Sequence, residues 1–246
     1  MNPIKRISMI KDLLTIVIPC KNEREQIQEC LWYLSRQKGI SGTRIIIADG
    51  SDDAESVFML DECYFKYPRL FIQIITGGYP AKARLNGSLI ANTPYILFLD
   101  ADMLVRDSWM LQEVISVMQK KPFIDLLTAT YKTDAKWNWV YILFNLFQKI
   151  GALIGSCFAI GGFQLWRKDA YWNAGGYKEE YLYAEDYAIS KKVKNRNFFI
   201  HKTIGLYTSP RRMEKDGAVY LFIMMIKCFL NRNNEKFFKK HHNYWK

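Results

Sequence analysis

Paired cysteines are missing from this 246-residue chain: Cys20, Cys30, Cys63, Cys157 and Cys228 are odd in number, scattered, and form no C-x-x-C. Such usage offers neither a disulfide framework nor a zinc site, and a reducing cytosol is the simplest setting. Long apolar runs are missing as well. No segment reaches the roughly 18 to 20 uninterrupted apolar residues of a spanning helix; the nearest stretch, Trp137 to Trp166, is broken by Gln148-Lys149 and by glycines. No apolar stretch long enough for a signal core follows Lys5, Arg6 and Lys11, so a secretory signal is not expected and the protein is expected on the cytosolic side. Internal repeats and low-complexity tracts are absent too. Acidic residues run short, with 24 Asp+Glu against 35 Lys+Arg, a net charge of +11 and a pI near 9.3. That balance points to anionic partners, whether nucleotide phosphates, acidic lipid headgroups or nucleic acid, and does not choose among them.

What is present is a core. Half the residues are hydrophobic, enough for one compact α/β domain with a C-terminal appendage. Leu13 to Pro19 reads as a buried strand, because apolar and β-branched residues run together until a proline stops them. Asn22-Glu23 then open a helix with Ile27, Leu31 and Leu34 on one face. A second strand spans 44–48, a helix 54–66, a third strand 70–75, a helix 81–91 and a fourth strand Tyr95 to Leu99. Strands alternating with helices predict a Rossmann-like, mostly parallel central sheet flanked by helices. Ligands of such sheets gather at the carboxyl ends of the strands, which brings the loops after Pro19, Ala48, Ile75 and Leu99 into one crevice. Farther on, Ser108 to Lys120 reads as an amphipathic helix and Asp125 to Tyr131 as a strand. The rest of the second half is less regular.

Asp100-Ala101-Asp102 follows the fourth strand directly. Two carboxylates one residue apart at the end of a strand buried on both faces are not explained by packing. They suit a hard divalent cation that shares its oxygen ligands with a diphosphate; the plainer alternative is a solvated pair that caps the next helix.

Five segments in order carry a resemblance. Pro19-Cys20-Lys21-Asn22-Glu23 looks like a P-x-x-N-E loop, Asp49-Gly50-Ser51-Asp52-Asp53 like a D-G-S-x-D loop, and Ala83-Arg84-Leu85-Asn86-Gly87 like A-R-N-x-G with Leu85 inserted. Asp100-Ala101-Asp102 is a D-x-D, and Gly175-Gly176-Tyr177 with Ala184-Glu185-Asp186 looks like an acceptor-side G-G-Y and E-D pair. From about Leu14 to Arg212 the chain thus resembles glycosyltransferase family 2, the inverting GT-A enzymes. The resemblance implies a nucleoside-diphosphate sugar donor (UDP- or GDP-sugar), Mg2+ or Mn2+, and transfer to a hydroxyl acceptor by single displacement. Asp102 would ligate the metal, and Asp100 the ribose or the metal. Pro19, Asn22, Glu23, Asp49 and Ser51 would serve the nucleoside side, while Arg84, Arg211 and Arg212 would serve the diphosphate. Asp186 is the expected general base with Glu185 orienting it, and Gly162, Phe163 and Trp166 are expected at the acceptor. Ordinary structural readings stand beside these: a turn at Asp49, a helix dipole for Glu23, a surface ion pair for Arg84, a helix cap for Glu185-Asp186, and core packing for Trp166 and Trp172.

Two family patterns are missing. There is no Q-x-x-R-W, which argues against a processive polymerase, and Tyr207-Thr208 stand where a metal-binding histidine is often found, with His201 several residues earlier. The domain is expected over 1–212, with its nucleotide-binding half over about 13–105 and its acceptor half over about 106–212. A basic, apolar tail over 213–246 follows. Trp137 to Phe144 and Ala218 to Leu230 are apolar, too short to span, and flanked by Lys132, Lys136, Arg232, Lys236, Lys239, Lys240 and Lys246. That pattern predicts interfacial helices on an anionic leaflet, hence a cytoplasmic protein peripheral to the inner face of the plasma membrane. A polyprenyl-linked acceptor or a cell-surface glycan fits such a surface, and nucleic acid is not an expected partner. Two other classes compete: a sugar nucleotidyltransferase, although Ile18 to Asn22 lacks the glycines of its phosphate loop, and a non-catalytic basic module binding nucleic acid or membrane.

Overall fold

The computed structural model describes residues 9–52, 62–63, 65–134 and 136–242. Seven strands build its main sheet: β1 (Leu14–Cys20), β2 (Arg44–Asp49), β3 (Phe71–Thr76), β4 (Tyr95–Leu99), β6 (Leu126–Ala129), β7 (Phe163–Arg167) and β8 (Phe198–His201). Their spatial order is β3-β2-β1-β4-β7-β6-β8. Pairing is parallel from β3 through β4 and between β6 and β8, while β7 runs antiparallel to both neighbours. β5 (Met103–Val105) and β9 (Leu206–Thr208) form a separate antiparallel ribbon.

The first four strands of the main sheet lie where their apolar runs predict them. Side chains alternate between two cores: Leu14, Ile16 and Ile18 of β1 join Ile27, Leu31 and Leu34 of the helix Arg24–Ser35, while Val17 joins Ile46, Ile96 and Phe98 on the other face. The helix Pro80–Ile90 lies against that second face so closely that a Cβ on Gly87 would sit 2.3 Å from Val17 Cγ1. Only glycine permits that approach.

β7 departs from the regular alternation. Its Gln164 and Trp166 are fully buried, and a polar residue inside a five-residue strand hides the apolar signal. The cost of burying them is offset internally: Trp166 Nε1 donates to Gln164 Oε1 at 2.9 Å, and Gln164 Nε2 donates to the Ala159 carbonyl at 2.7 Å. The helix expected over 54–66 lies mostly outside the described residues. The two apolar segments are helices, Asn138–Leu153 and Ala218–Leu230, and among the described residues no helix is long and apolar enough to cross a membrane.

Candidate active site

The carboxyl ends of β1 and β4 open onto a cleft of about 680 Å³ that the Pro19–Glu23 loop, Asp100–Met103, Gly161-Gly162 and Tyr183–Tyr187 all line. Asn22 takes a left-handed backbone, φ 53°, a conformation asparagine tolerates better than most residues. Its N–H donates to Ser51 Oγ at 2.9 Å and its Nδ2 to Asp52 Oδ1 at 2.7 Å, which ties the loop after β1 to the loop after β2. Asp49 closes that second loop, accepting the N–H of Ser51 at 3.0 Å and its hydroxyl at 2.6 Å. Asp49 and Ser51 are not among the cleft-lining residues; they shape the loop behind Asn22. Asp53 lies outside the described residues. Glu23 faces the cleft with one buried carboxylate oxygen, Oε2, that has no partner.

Arg84 is the centre of the polar network. It is buried, at 2% exposure, deeper than a surface ion pair would place it. Its Nη2 pairs with Asp100 Oδ1 at 2.6 Å, and its Nη1 pairs with Glu185 Oε1. One guanidinium therefore bridges the Asp-x-Asp segment and the Glu-Asp pair, with Arg84 and Glu185 themselves 101 residues apart in sequence. Burial alone would weaken its charge, but Asp100, Tyr177, Glu185 and Asp186 around it drive its pKa well upward. The Tyr177 ring lies 5.4 Å from the guanidinium carbon.

Asp186 is half-buried beside this bridge. Two backbone amides hold its carboxylate: Gly161 N–H donates to Oδ2 and Tyr187 N–H to Oδ1, both at 2.7 Å. Loss of solvent, then the neighbouring Glu185, raise its pKa from 3.8 to about 6, against the opposing pull of Arg84 and the two amides. The residue before the pair, Ala184, has φ 46° and ψ 40°, a left-handed conformation that turns the chain into the helix Glu185–Ser190. Gly161 is required where it stands, since a Cβ there would meet Arg84 Nη2 at 2.6 Å. Cys20 also lines the cleft, but burial, together with Asp49 and Glu23, pushes its thiol up to about 12, which removes it as a nucleophile.

The ribbon of β5 and β9 brings the chain back over the Asp-x-Asp segment. Met103 pairs with Thr208, and the Ser209 N–H donates to the Asp102 carbonyl at 3.3 Å. Arg211 then reaches Glu23 with Nη2. The side chain of Arg212 lies outside the described residues. His201 is held at the end of β8 near Glu113, 3.5 Å away, and does not line the cleft. Among the described residues no three His, Cys, Asp or Glu side chains are grouped to hold a metal. Asp100 and Asp102 alone still fit a Mg2+-like cation, which is ordinarily bound by one or two carboxylates plus substrate phosphates.

Of the three expected acceptor residues, only Gly162 lines the cleft. Phe163 and Trp166 are fully buried in β7, so their side chains do not reach an acceptor; the strand uses them as core. Three features escaped sequence reading: the double pairing of Arg84, the β5–β9 ribbon, and an apolar wall contributed by the helices 138–153 and 218–230. The first two join residues about a hundred positions apart. The third had a visible signal, since both segments are apolar at helical length.

Comparison with known proteins bears on this arrangement. The family model described as Glycosyl transferase family 2 matches residues 15–175. No curated protein sequence matches the chain. Among solved structures, S. aureus TarS is similar at a TM-score of 0.59 and 16% identity, covering 92% of this chain and 41% of TarS. The mannosyltransferase PcManGT from Pyrobaculum calidifontis, in complex with GDP-Man and Mn2+, has a TM-score of 0.65 at 13% identity, covering 87% of this chain and 64% of that one. Glucosyl-3-phosphoglycerate synthase from Mycobacterium tuberculosis, in complex with Mn2+, UDP-glucose and phosphoglyceric acid, has a TM-score of 0.55 at 12% identity, with coverages of 88% and 79%. This chain therefore spans well under half of TarS and under two thirds of PcManGT. At these identities the likeness shows the shared fold.

Proposed function

The chain belongs to glycosyltransferase family 2, and from that premise we propose that it transfers a sugar from a nucleoside-diphosphate sugar to a hydroxyl acceptor with inversion, Asp186 acting as general base. The observation that carries this reading is the placement of Asp186. Its carboxylate is fixed by two backbone amides and tuned to about 6, in the cleft that Asp100 and Asp102 also line. A base with that pKa is ionised at neutral pH yet basic enough to accept a proton as an alcohol oxygen begins to bond.

The step balances without a covalent enzyme intermediate. The acceptor O–H gives its proton to Asp186 as the oxygen attacks the anomeric carbon. The bond from that carbon to the diphosphate oxygen breaks, and the nucleoside diphosphate leaves with the electron pair. Asp100 and Asp102 are the residues that would hold Mg2+ or Mn2+, which would supply positive charge against the leaving diphosphate. Arg84 positions Asp100 and Glu185 together. Glu23 Oε2, a buried acceptor without a partner on a cleft-lining residue, would be satisfied by a donor such as a ribose hydroxyl. Arg211, together with Arg212, suits diphosphate oxygens because its planar fork binds them in pairs. The donors named for the similar structures, GDP-Man and UDP-glucose, support a nucleotide sugar and leave uridine and guanosine as the two bases to test.

An acceptor at a membrane surface suits the two apolar helices. Trp139, Ile142 and Leu153 on one apolar helix and Val219, Ile226 and Leu230 on the other are exposed. Lys149, Lys227 and Arg232 stand among or next to them, the chemistry of a helix pair lying on an anionic leaflet. The decisive experiment titrates UDP- and GDP-sugars into the protein with and without Mn2+, comparing the parent with Asp102→Ala. Mn2+-dependent binding and slow donor hydrolysis are expected in the parent and not in the variant. Equal behaviour of the two proteins would remove the metal assignment, and no nucleotide binding by the parent would remove the transferase reading.

A further inference from the structure

The cleft has a second arm that sugar chemistry does not account for. The apolar arm of the cleft is the part lined by Phe144, Phe147 and Phe158 together with Leu221, Met224 and Met225. These six side chains carry no hydrogen-bond donors, so sugar hydroxyls set against them would lose water contacts, with only the hydroxyls of the neighbouring Tyr141, Tyr183 and Tyr187 to replace them in part. An apolar, flexible ligand segment loses nothing there. Methionines suit such a segment because their unbranched side chains adapt to irregular shapes.

The arm is continuous with the site rather than a separate void, since one cavity holds both Asp186 and Met225. Both helices contribute to its lining, and they pack against each other through Phe144 and Phe222, with ring centroids 5.3 Å apart. The same helices leave Ile142, Leu146, Ile223 and Ile226 exposed on their outward sides. A chain held in the arm would therefore have apolar surroundings both inside the cleft and outside it.

We propose that this arm binds the hydrocarbon tail of the acceptor, so that the substrate is an amphiphile whose hydroxyl-bearing head lies at Asp186 and whose apolar chain runs between the helices 138–153 and 218–230. The inference rests on the transferase reading of the cleft, because it assigns the head to the base of that reaction.

The test uses the full chain and n-alkyl β-glucosides from butyl to octyl, each below its micelle-forming concentration, titrated in the presence of Mn2+ and nucleoside diphosphate. The dissociation constant is expected to fall with chain length, with a ceiling of about fourfold per methylene, the equivalent of about 0.8 kcal/mol per buried CH2. Met225→Gln, or Phe147→Gln should the first fail to fold, is expected to flatten this dependence, while Ile223→Gln on the outward side leaves it intact. A dependence that is flat in the parent, or that disappears in Ile223→Gln and persists in Met225→Gln, overturns the proposal. Nucleotide binding by the parent is read in the same titrations. Nucleotide binding with no chain-length dependence defeats this inference alone, whereas absence of nucleotide binding defeats the transferase reading beneath it.

Discussion

Replacing Arg84 should damage the protein in two separable ways. Arg84→Met leaves Glu185, at 5% exposure, as an uncompensated charge and removes the partner of Asp100 Oδ1. Breaking a buried ion pair from one side costs about 3–5 kcal/mol, a large part of the roughly 5–15 kcal/mol that holds a domain together. Most of that loss belongs to the stranded carboxylate, so Arg84→Met/Glu185→Gln should recover more than half of it. Urea unfolding followed by tryptophan fluorescence measures both. The second effect is electrostatic. Arg84 holds the Asp186 pKa down against burial and Glu185, so without it that pKa rises above about 6 and the acid limb of the pH–rate profile moves toward neutral pH. Arg84→Lys keeps the charge but loses the planar fork that meets two carboxylates at once, and should fall between parent and Met variant. If Arg84→Met unfolds within about 1 kcal/mol of the parent, far short of the burial penalty, and the acid limb stays in place, the bridge has no energetic role.

Other outcomes follow from the same geometry. Asp186→Asn should lower turnover by about 10²–10⁴-fold, the range of a lost general base, with nucleotide binding retained. Because folding raises the Asp186 pKa from 3.8 to about 6, its protonated form favours the folded state. That contribution, on the order of 1–3 kcal/mol, is full at low pH and lost as pH rises from about 4 through 6. The difference in unfolding free energy between the parent and Asp186→Asn should therefore slope across that window, and a flat difference would contradict the shift. Gly161→Ala puts a Cβ 2.6 Å from Arg84 Nη2 and 3.5 Å from Asp186 Cβ; a displacement of that size should cost up to about 100-fold in turnover, and a fully active variant would show the contact to be soft. Finally, the protein should sediment with anionic liposomes at low ionic strength and be released by salt; no binding to such vesicles would exclude the membrane-surface reading.

The donor-side framework was legible because three of its strands end in apolar runs closed by a polar motif: Ile16 to Pro19 before Asn22, Ile45 to Ala48 before Asp49, Ile96 to Leu99 before Asp100. The strand rule predicts Asp49, Asp100 and Asp102 in one crevice; Asp100 and Asp102 do line the cleft, whereas Asp49 turns back to hold Ser51 and shapes the loop behind Asn22. The acceptor side was harder for physical reasons. β5 and β9 have only three residues each, and they exist because they pair with one another across the fold. β7 carries a buried glutamine whose partners lie in tertiary structure. Arg84 looks like any surface arginine on a helix until the fold places Asp100 and Glu185 around it. From sequence, Trp166 was open equally to an acceptor role and to core packing; it is fully buried in β7.

Ala184 gives the site a trade-off of its own. A non-glycine residue in the left-handed region stores about 1–2 kcal/mol, and here it does so one position before Glu185-Asp186. Any selection for heat resistance would be drawn to Ala184→Gly or Ala184→Asn, which relax that turn. The glycine also widens the set of directions from which the base is presented. Breeding this protein for ruggedness and breeding it for speed would thus pull on the same residue in opposite directions.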